Sequence, residues 1–375
     1  MSAALAEHIE YLTLPGRNTL YRKAIAAALK PGGAVADLGC GVGVLGLFCL
    51  EAGASKVWGI DRSDAIHIAR DVMARAGLAD RYHCISGSTF RTALPERVDL
   101  IICDHVGFFG FDYGIIPLMR DARQRFLKPG GLMIPQTLDL TVAGVCSDAS
   151  LAKANGWAQD SVPPQYRWLD TLSRNVRYSH PFNADELIAA PVSLGHVDLA
   201  DADTEFYRFN ATLIANRAGR FDGIAGWFDC QLAGAVRMTN NPLAPDSIGR
   251  SQAFLPAQES FMVEAGDAIG VSVRFRADDT MISWTIQPPH GARKQTLSTF
   301  NSTVLTPADL VNEPGRPLTL SAEGKARAFV LAKVDDLRSG DDITATVLAE
   351  WPDMLPTQQA VREFVKKVLA HHCQI

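Results

Sequence analysis

Val35-Ala-Asp37-Leu-Gly39-Cys-Gly41-Val-Gly43-Val-Leu-Gly46 is the stretch that decides how the first third of this chain folds. A hydrophobic run enters it, an acid stands two residues before the first glycine, and three glycines alternate. Such a stretch predicts a strand that turns sharply into a helix. Glycine admits the tight turn and lets a ligand approach with no Cβ in the way. The helix N-terminus that follows presents unpaired N–H groups. The pattern suits a nucleoside-bearing ligand and leaves two chemistries open, hydride transfer and methyl transfer.

On either side of the turn, helix-like and strand-like segments alternate. Residues 18–30 read as a helix ending at Pro31-Gly-Gly, 44–52 as the helix after the turn, and 57–61 as a second strand. A helix starts near Ser63, with Gly77 as its stop. The apolar run Val98–Cys103 reads as a strand buried on both faces. Leu127-Lys-Pro-Gly-Gly-Leu-Met-Ile134 reads as a turn into a late strand. This is the pattern of a doubly wound parallel sheet. From about Leu138 the period changes. Alternation over 206–214, 221–232, 261–263, 268–275 and 281–286 predicts an antiparallel sandwich or barrel, interrupted near 150–180 by a segment bearing Trp and Tyr. Asn312-Glu-Pro-Gly-Arg-Pro317 reads as a linker.

The chain has 375 residues, 47% hydrophobic and 21% charged, with a formal net charge of -5. That charge gives no basis for a nucleic-acid partner, whose domains are usually basic. No apolar run approaches the ~18 residues of a membrane span. Glu7 and Glu10 stand where a signal peptide requires an apolar core. The seven cysteines form no Cys-x-x-Cys pair, so neither a disulfide framework nor a metal site is expected. The expected setting is cytoplasmic.

Asp61 ends the second strand 20 residues after Gly41 and suits ribose hydroxyls in either chemistry. Asp37 separates the two. A dinucleotide fold prefers an apolar residue there, whereas an acid receives the ammonium of a methionine-type ligand. The Lys-Pro-Gly-Gly turn points the same way, to an S-adenosyl-L-methionine-dependent methyltransferase.

Further motifs sharpen this. Arg17-Asn-Thr-Leu-Tyr21-Arg22 precedes the glycine turn, Val57-Trp-Gly-Ile-Asp61 follows it, and Val98-Asp-Leu-Ile-Ile-Cys-Asp104-His-Val-Gly107-Phe-Phe-Gly-Phe-Asp112 forms a strand and acidic loop. Together with Leu127–Pro135 they resemble protein arginine methyltransferases in order and spacing. Phe221–Asp229, Val263–Asp267 and Ser283–Ile286 resemble that family's β-barrel, so the likeness spans roughly residues 10–300. It implies a class I, Rossmann-like methyltransferase domain over 1–137. It further implies a β-barrel substrate domain over 138–312, with a dimerisation arm near 150–180 and a homodimer. By the same resemblance Arg17 binds the methionine carboxylate. Asp37 and the backbone at Gly39 and Gly41 hold the methionine end, Asp61 the ribose, and Ser88 and Thr89 the adenine.

The chain departs from the family at the acceptor. The resemblance implies two glutamates nine positions apart. Asp104 occupies the first position and Tyr113 the second, with Asp112 beside it. A phenol does not replace a carboxylate at neutral pH. The family's Thr-His-Trp segment corresponds to Ser247-Ile248-Gly249. Asp104, His105 and Asp112 are therefore the candidate catalytic residues.

Finally, Ala328-Phe-Val-Leu-Ala-Lys-Val-Asp335-Asp-Leu-Arg338 and Leu348-Ala-Glu-Trp-Pro352 resemble the small winged-helix peptide-recognition domain of pyrroloquinoline-quinone biosynthesis. Over 313–375 that implies capture of a ribosomal precursor peptide by β-augmentation. Ser339 or Asp341 is the expected cap of a helix ending at Glu350. The resulting expectation is a methyltransferase acting on a peptide or protein side-chain nitrogen. The alternatives are a small-molecule methyltransferase and a non-catalytic binding protein that retains the fold.

Overall fold

The computed structural model describes residues 8–304, 315 and 317–373, which fall into two compact units divided after Thr303. In the first unit residues 8–12 are helical and lead to helix α1, Arg17–Ala28. Strands β1 (Ala34–Leu38), β2 (Lys56–Asp61), β3 (Tyr82–Ser86), β4 (Val98–Cys103) and β5 (Leu127–Ile134) form a parallel sheet in the order β3-β2-β1-β4-β5. β1 is buried along its whole length. Helices α2 (Val44–Glu51), α3 (Ala65–Arg75) and α4 (Ile115–Phe126) connect the strands. The order reverses between β1 and β4. The carboxyl ends of these neighbouring strands therefore diverge into a crevice, where open α/β sheets bind ligands. Tyr82–Ser86 carries little alternation, and as a strand it is set by pairing with β2 rather than by its own pattern.

The second half of this unit is antiparallel. β6 (Thr137–Val145), β7 (Tyr178–His180), β8 (Val192–Asp198), β10 (Gly219–Ala233), β11 (Val236–Thr239) and β12 (Gln252–Val263) form one sheet. β9 (Phe206–Ile214), β13 (Ala268–Arg276), β14 (Met281–Gln287) and β15 (Gln295–Ser298) form another. The ladders remain two separate sheets, so a continuous ladder does not close them into the barrel the resemblance implies. They are joined instead by packing and polar contacts. Trp284 of β14, fully buried, donates its indole N–H to the Pro256 carbonyl of β12 at 2.7 Å. The Gln295 side chain bonds both the N–H and the carbonyl of Glu259. Residues 148–173 leave the sheet as short helical turns, with Trp157, Tyr166 and Trp168 exposed. One continuous hydrophobic core runs from Val35 and Ile102 of the parallel sheet to Phe228 and Trp284 of the antiparallel sheets.

The second unit contains three helices among its described residues: Ala322–Leu331, Gly340–Glu350 and Gln358–His372. Ser321, Ser339 and Thr357 cap their N-termini, and Ser339 makes a reciprocal box with Asp342. Val330, Ile343, Val347, Val361, Val365 and Val368 form its core. The described residues of this unit include no strand. The winged-helix expectation is thereby corrected: Ala326, Val330 and their neighbours bury one stripe of a helix. There is no sheet edge among them for β-augmentation.

Gly226 of β10 shows how closely the two halves of the first unit meet. A Cβ there would stand 2.4 Å from the Phe109 ring, in the loop that follows β4. Gly226→Ala is expected to cost about 1–3 kcal/mol through overpacking. Gly156→Ala, where a Cβ meets nothing within 4 Å, is expected to change stability little. Chemical denaturation midpoints of the two variants check this.

Candidate functional site

The carboxyl ends of β1, β2, β3 and β4 surround a cavity of about 480 Å³, within the usual size range of small-molecule sites. The glycine turn forms its floor. Gly39 and Gly41 have φ of 60° and 54°, values that favour glycine. Space matters there as well as conformation. A Cβ on Gly39 would meet the His105 ring at 2.2 Å, and one on Gly41 would meet His8 at 2.5 Å.

Asp37 is almost fully buried and lines the cavity. Its Oδ2 accepts the Gly46 N–H at 2.8 Å and the Tyr82 hydroxyl at 3.1 Å. Its Oδ1 is buried with no partner. Burial pushes its pKa up to about 7, against the lowering effect of those two hydrogen bonds. Tyr82 fits because glycines leave it room: a Cβ at Gly46 or at Gly59 would stand 2.4 Å from its side chain. The Tyr82 role was not read from the sequence, since a tyrosine in a strand reads as core.

Asp61 turns back on the same loop. Its Oδ2 accepts the Gly41 N–H at 2.7 Å, and its Oδ1 accepts the N–H and hydroxyl of Ser63. Ser88 and Thr89 follow β3 on the cavity wall, next to the exposed ring of Phe90. The turn thus carries N–H groups, two carboxylates and one orphaned carboxylate oxygen. That donor set fits an aminoacyl nucleoside with an ammonium at one end and ribose hydroxyls at the other.

On the neighbouring strand, level with the glycine turn, stands Asp104, just past β4. Its Oδ2 accepts from Arg17 Nε at 2.7 Å and from Arg250 Nη2 at 3.0 Å, while its Oδ1 is buried without a partner. Burial pushes this carboxyl up, but the Arg250 and Arg17 charges more than reverse that and hold it at about 2. Arg17 also donates to Asn18, and Arg250 to the Gly107 carbonyl. Both guanidiniums are almost fully buried. Arg250 directly follows Ser247-Ile248-Gly249, the segment where the sequence lacks a histidine. Nothing in its local pattern marks it, because the antiparallel sheet brings it to Asp104 across 146 positions. His105 lies on the glycine turn, and burial lowers its pKa, favouring the neutral ring.

The structure does not bring Asp112 to this group. Its Oδ1 accepts the N–H groups of Phe108 and Phe109 at 2.9 Å, and its Oδ2 faces Arg177 at 3.3 Å. It lines a second cavity, of about 370 Å³, with Arg177 and Phe300. Tyr113, half exposed, lines the first. Arg17, Asp37, Gly39, Gly41, Asp61, Ser88, Thr89, Asp104 and His105 thus share one cavity, and Asp112 serves its own loop. Among the described residues no group of three or more His, Cys, Asp or Glu is placed to hold a metal.

Asp37 carries a pH dependence. Its folded pKa lies above its ordinary 3.8, so ionising it costs the ligand-free fold stability as pH rises from about 4 to about 7. A bound ammonium favours the ionised form. Affinity for S-adenosylmethionine should therefore rise with pH to a plateau above about 7. Tyr82→Phe removes a hydrogen bond to the charged form and should move that midpoint upward. Binding of 5′-methylthioadenosine, which has no ammonium, should show neither effect. Calorimetric titrations across pH check both.

A family described as "Methyltransferase domain" matches residues 35–131. The probable protein arginine N-methyltransferase 6 of Arabidopsis thaliana is 25% identical over 331 residues, covering 85% of this chain and 74% of that one. Protein arginine N-methyltransferase 1 of Schizosaccharomyces pombe is 37% identical over 112 residues, 30% of this chain and 33% of that one. Among solved structures, a chain of the Trypanosoma brucei PRMT1 enzyme–prozyme heterotetrameric complex with AdoHcy aligns with a TM-score of 0.67 at 23% identity. It covers 78% of this chain and 97% of that one. Arabidopsis thaliana protein arginine methyltransferase 10 aligns at 0.66 and 20% identity, over 79% and 98%. The structural likeness is one of fold. Together with the sequence matches and the cavity over the glycine turn, it makes this chain an S-adenosylmethionine-dependent methyltransferase that resembles the protein arginine N-methyltransferases.

Proposed function

We propose that this enzyme methylates a side-chain nitrogen of a peptide or protein, ribosomal precursor peptides included, and that residues 1–137 bind the methyl donor, 138–312 the substrate. The observation that carries the reading is the single cavity shared by the glycine turn, Asp37, Asp61 and Asp104. When bound, S-adenosylmethionine supplies an electrophilic methyl on a sulfonium. In this reading Arg17 takes the methionine carboxylate, the free Asp37 Oδ1 accepts from the ammonium, and the backbone at Gly39 and Gly41 lies against the methionine end. Asp61 takes the ribose, and Ser88 and Thr89 the adenine. Asp104 and His105 then stand at the acceptor end. Asp37 is buried and the Asp104 side chain is only 9% exposed, which strengthens the fields of both carboxylates.

The relatives act, by their names, on protein arginine, which supports a protein or peptide acceptor. A homodimer is part of the proposal: Trp157, Tyr166 and Trp168 are exposed aromatics on the excursion from the antiparallel sheet. A cytoplasmic setting accords with seven cysteines that are all unpaired.

The test is direct. Calorimetry should show binding of S-adenosylmethionine and S-adenosylhomocysteine, and labelled cofactor should transfer its methyl to peptides of the producing cell. Arg17→Met removes a charge-assisted contact worth about 1.5–3 kcal/mol, so it should weaken S-adenosylmethionine about 10- to 100-fold. It should leave 5′-methylthioadenosine binding unchanged. A wild-type protein that binds neither nucleoside would falsify the proposal.

A further inference from the structure

We infer that the acceptor end of this cavity rejects a guanidinium and takes an uncharged nitrogen bearing an N–H, an imidazole ring being the fitting class, with Arg250 setting that choice. The inference rests on the methyl-transfer reading above and narrows its acceptor.

A guanidinium keeps its charge at every pH a protein meets. A site that desolvates one must offer a carboxylate that is not already neutralised. Among the described residues of the cavity, each carboxylate is engaged. Asp37 holds the Gly46 N–H and the Tyr82 hydroxyl, and Asp61 holds Gly41 and Ser63. Asp278, on the outer wall, pairs with Arg120 at 2.5 Å. Asp104 is shared by Arg17 and Arg250. Asp112, the remaining acid of the loop, faces Arg177 in the other cavity. With the donor's carboxylate on Arg17 and its ammonium on Asp37, Arg250 still neutralises Asp104, and a further cation at the acceptor end would find no free anion there.

What Asp104 still offers is Oδ1, buried and without a hydrogen bond. That atom accepts one N–H and balances no further charge. An imidazole supplies one N–H to it and a lone pair on its other nitrogen. The lone pair forms the new nitrogen–carbon bond as the carbon–sulfur bond breaks, and the electron pair of that bond stays on the departing thioether sulfur. The methylated ring leaves the cavity as an imidazolium and gives its N–H proton to bulk water there. Asp104, held strongly acidic by its arginines, keeps the N–H oriented and does not retain the proton.

The test uses the full chain saturated with S-adenosylhomocysteine, titrated with imidazole and with ethylguanidinium at about pH 8, where free imidazole is uncharged. The wild type should bind imidazole at least about tenfold more tightly, a preference near 1.4 kcal/mol. Arg250→Gln should reduce that ratio about tenfold or reverse it, and Arg250→Lys, which keeps the charge, should preserve it. Equal affinity of the wild type for both probes, or an Arg250→Gln ratio equal to wild type, overturns the inference. In either case S-adenosylhomocysteine binding still stands as the separate measure of the methyl-donor reading.

Discussion

The carboxylate of Asp104 is the tie on which the site depends. It sits at the end of β4 and is held by Arg17 from helix α1 and by Arg250 from the segment that leads into β12. Three distant parts of the chain thus meet on one buried anion. Removing one partner of such a group strands the others in a medium that does not solvate charge, at a cost of about 3–5 kcal/mol. Neighbouring contacts reinforce the tie. Asn240 accepts from the Phe228 N–H and donates to the Phe108 carbonyl, so the antiparallel sheet also grips the acidic loop. The loop is held as part of the core, with Phe109 fully buried against β10.

On the neighbouring strand β1 the same economy appears in a different form. Gly43, Gly46 and Gly59 clear a space that Tyr82 fills, and its hydroxyl reaches the Asp37 carboxylate. The glycines of the turn therefore do two things. Gly39 and Gly41 bend the backbone, and the others admit the ring that orients the acid. A carboxylate kept buried with one oxygen unpaired destabilises the empty fold.

The C-terminal unit follows a simpler logic. Short helices need their first N–H groups satisfied, and a serine or threonine stands at each start. Its core is rich in valine, yet all of it lies on helices. β-branched residues favour strands only weakly, and burial against two other helices decides the matter.

Local pattern alone determined the doubly wound sheet, the glycine turn, the acids at the ends of β1, β2 and β4, and the nucleoside-binding character of their crevice. These rest on short-range facts: hydrophobic period, glycine spacing and the residue that ends each strand. The tertiary structure decided what those acids do. Arg250 reaches Asp104 from 146 positions away, and Tyr82 reaches Asp37 from 45. Asp112, next in sequence to a cavity residue, turns its carboxylate to its own loop. Charge pairing between distant strands is set by how sheets pack, and no period or spacing in the chain encodes it.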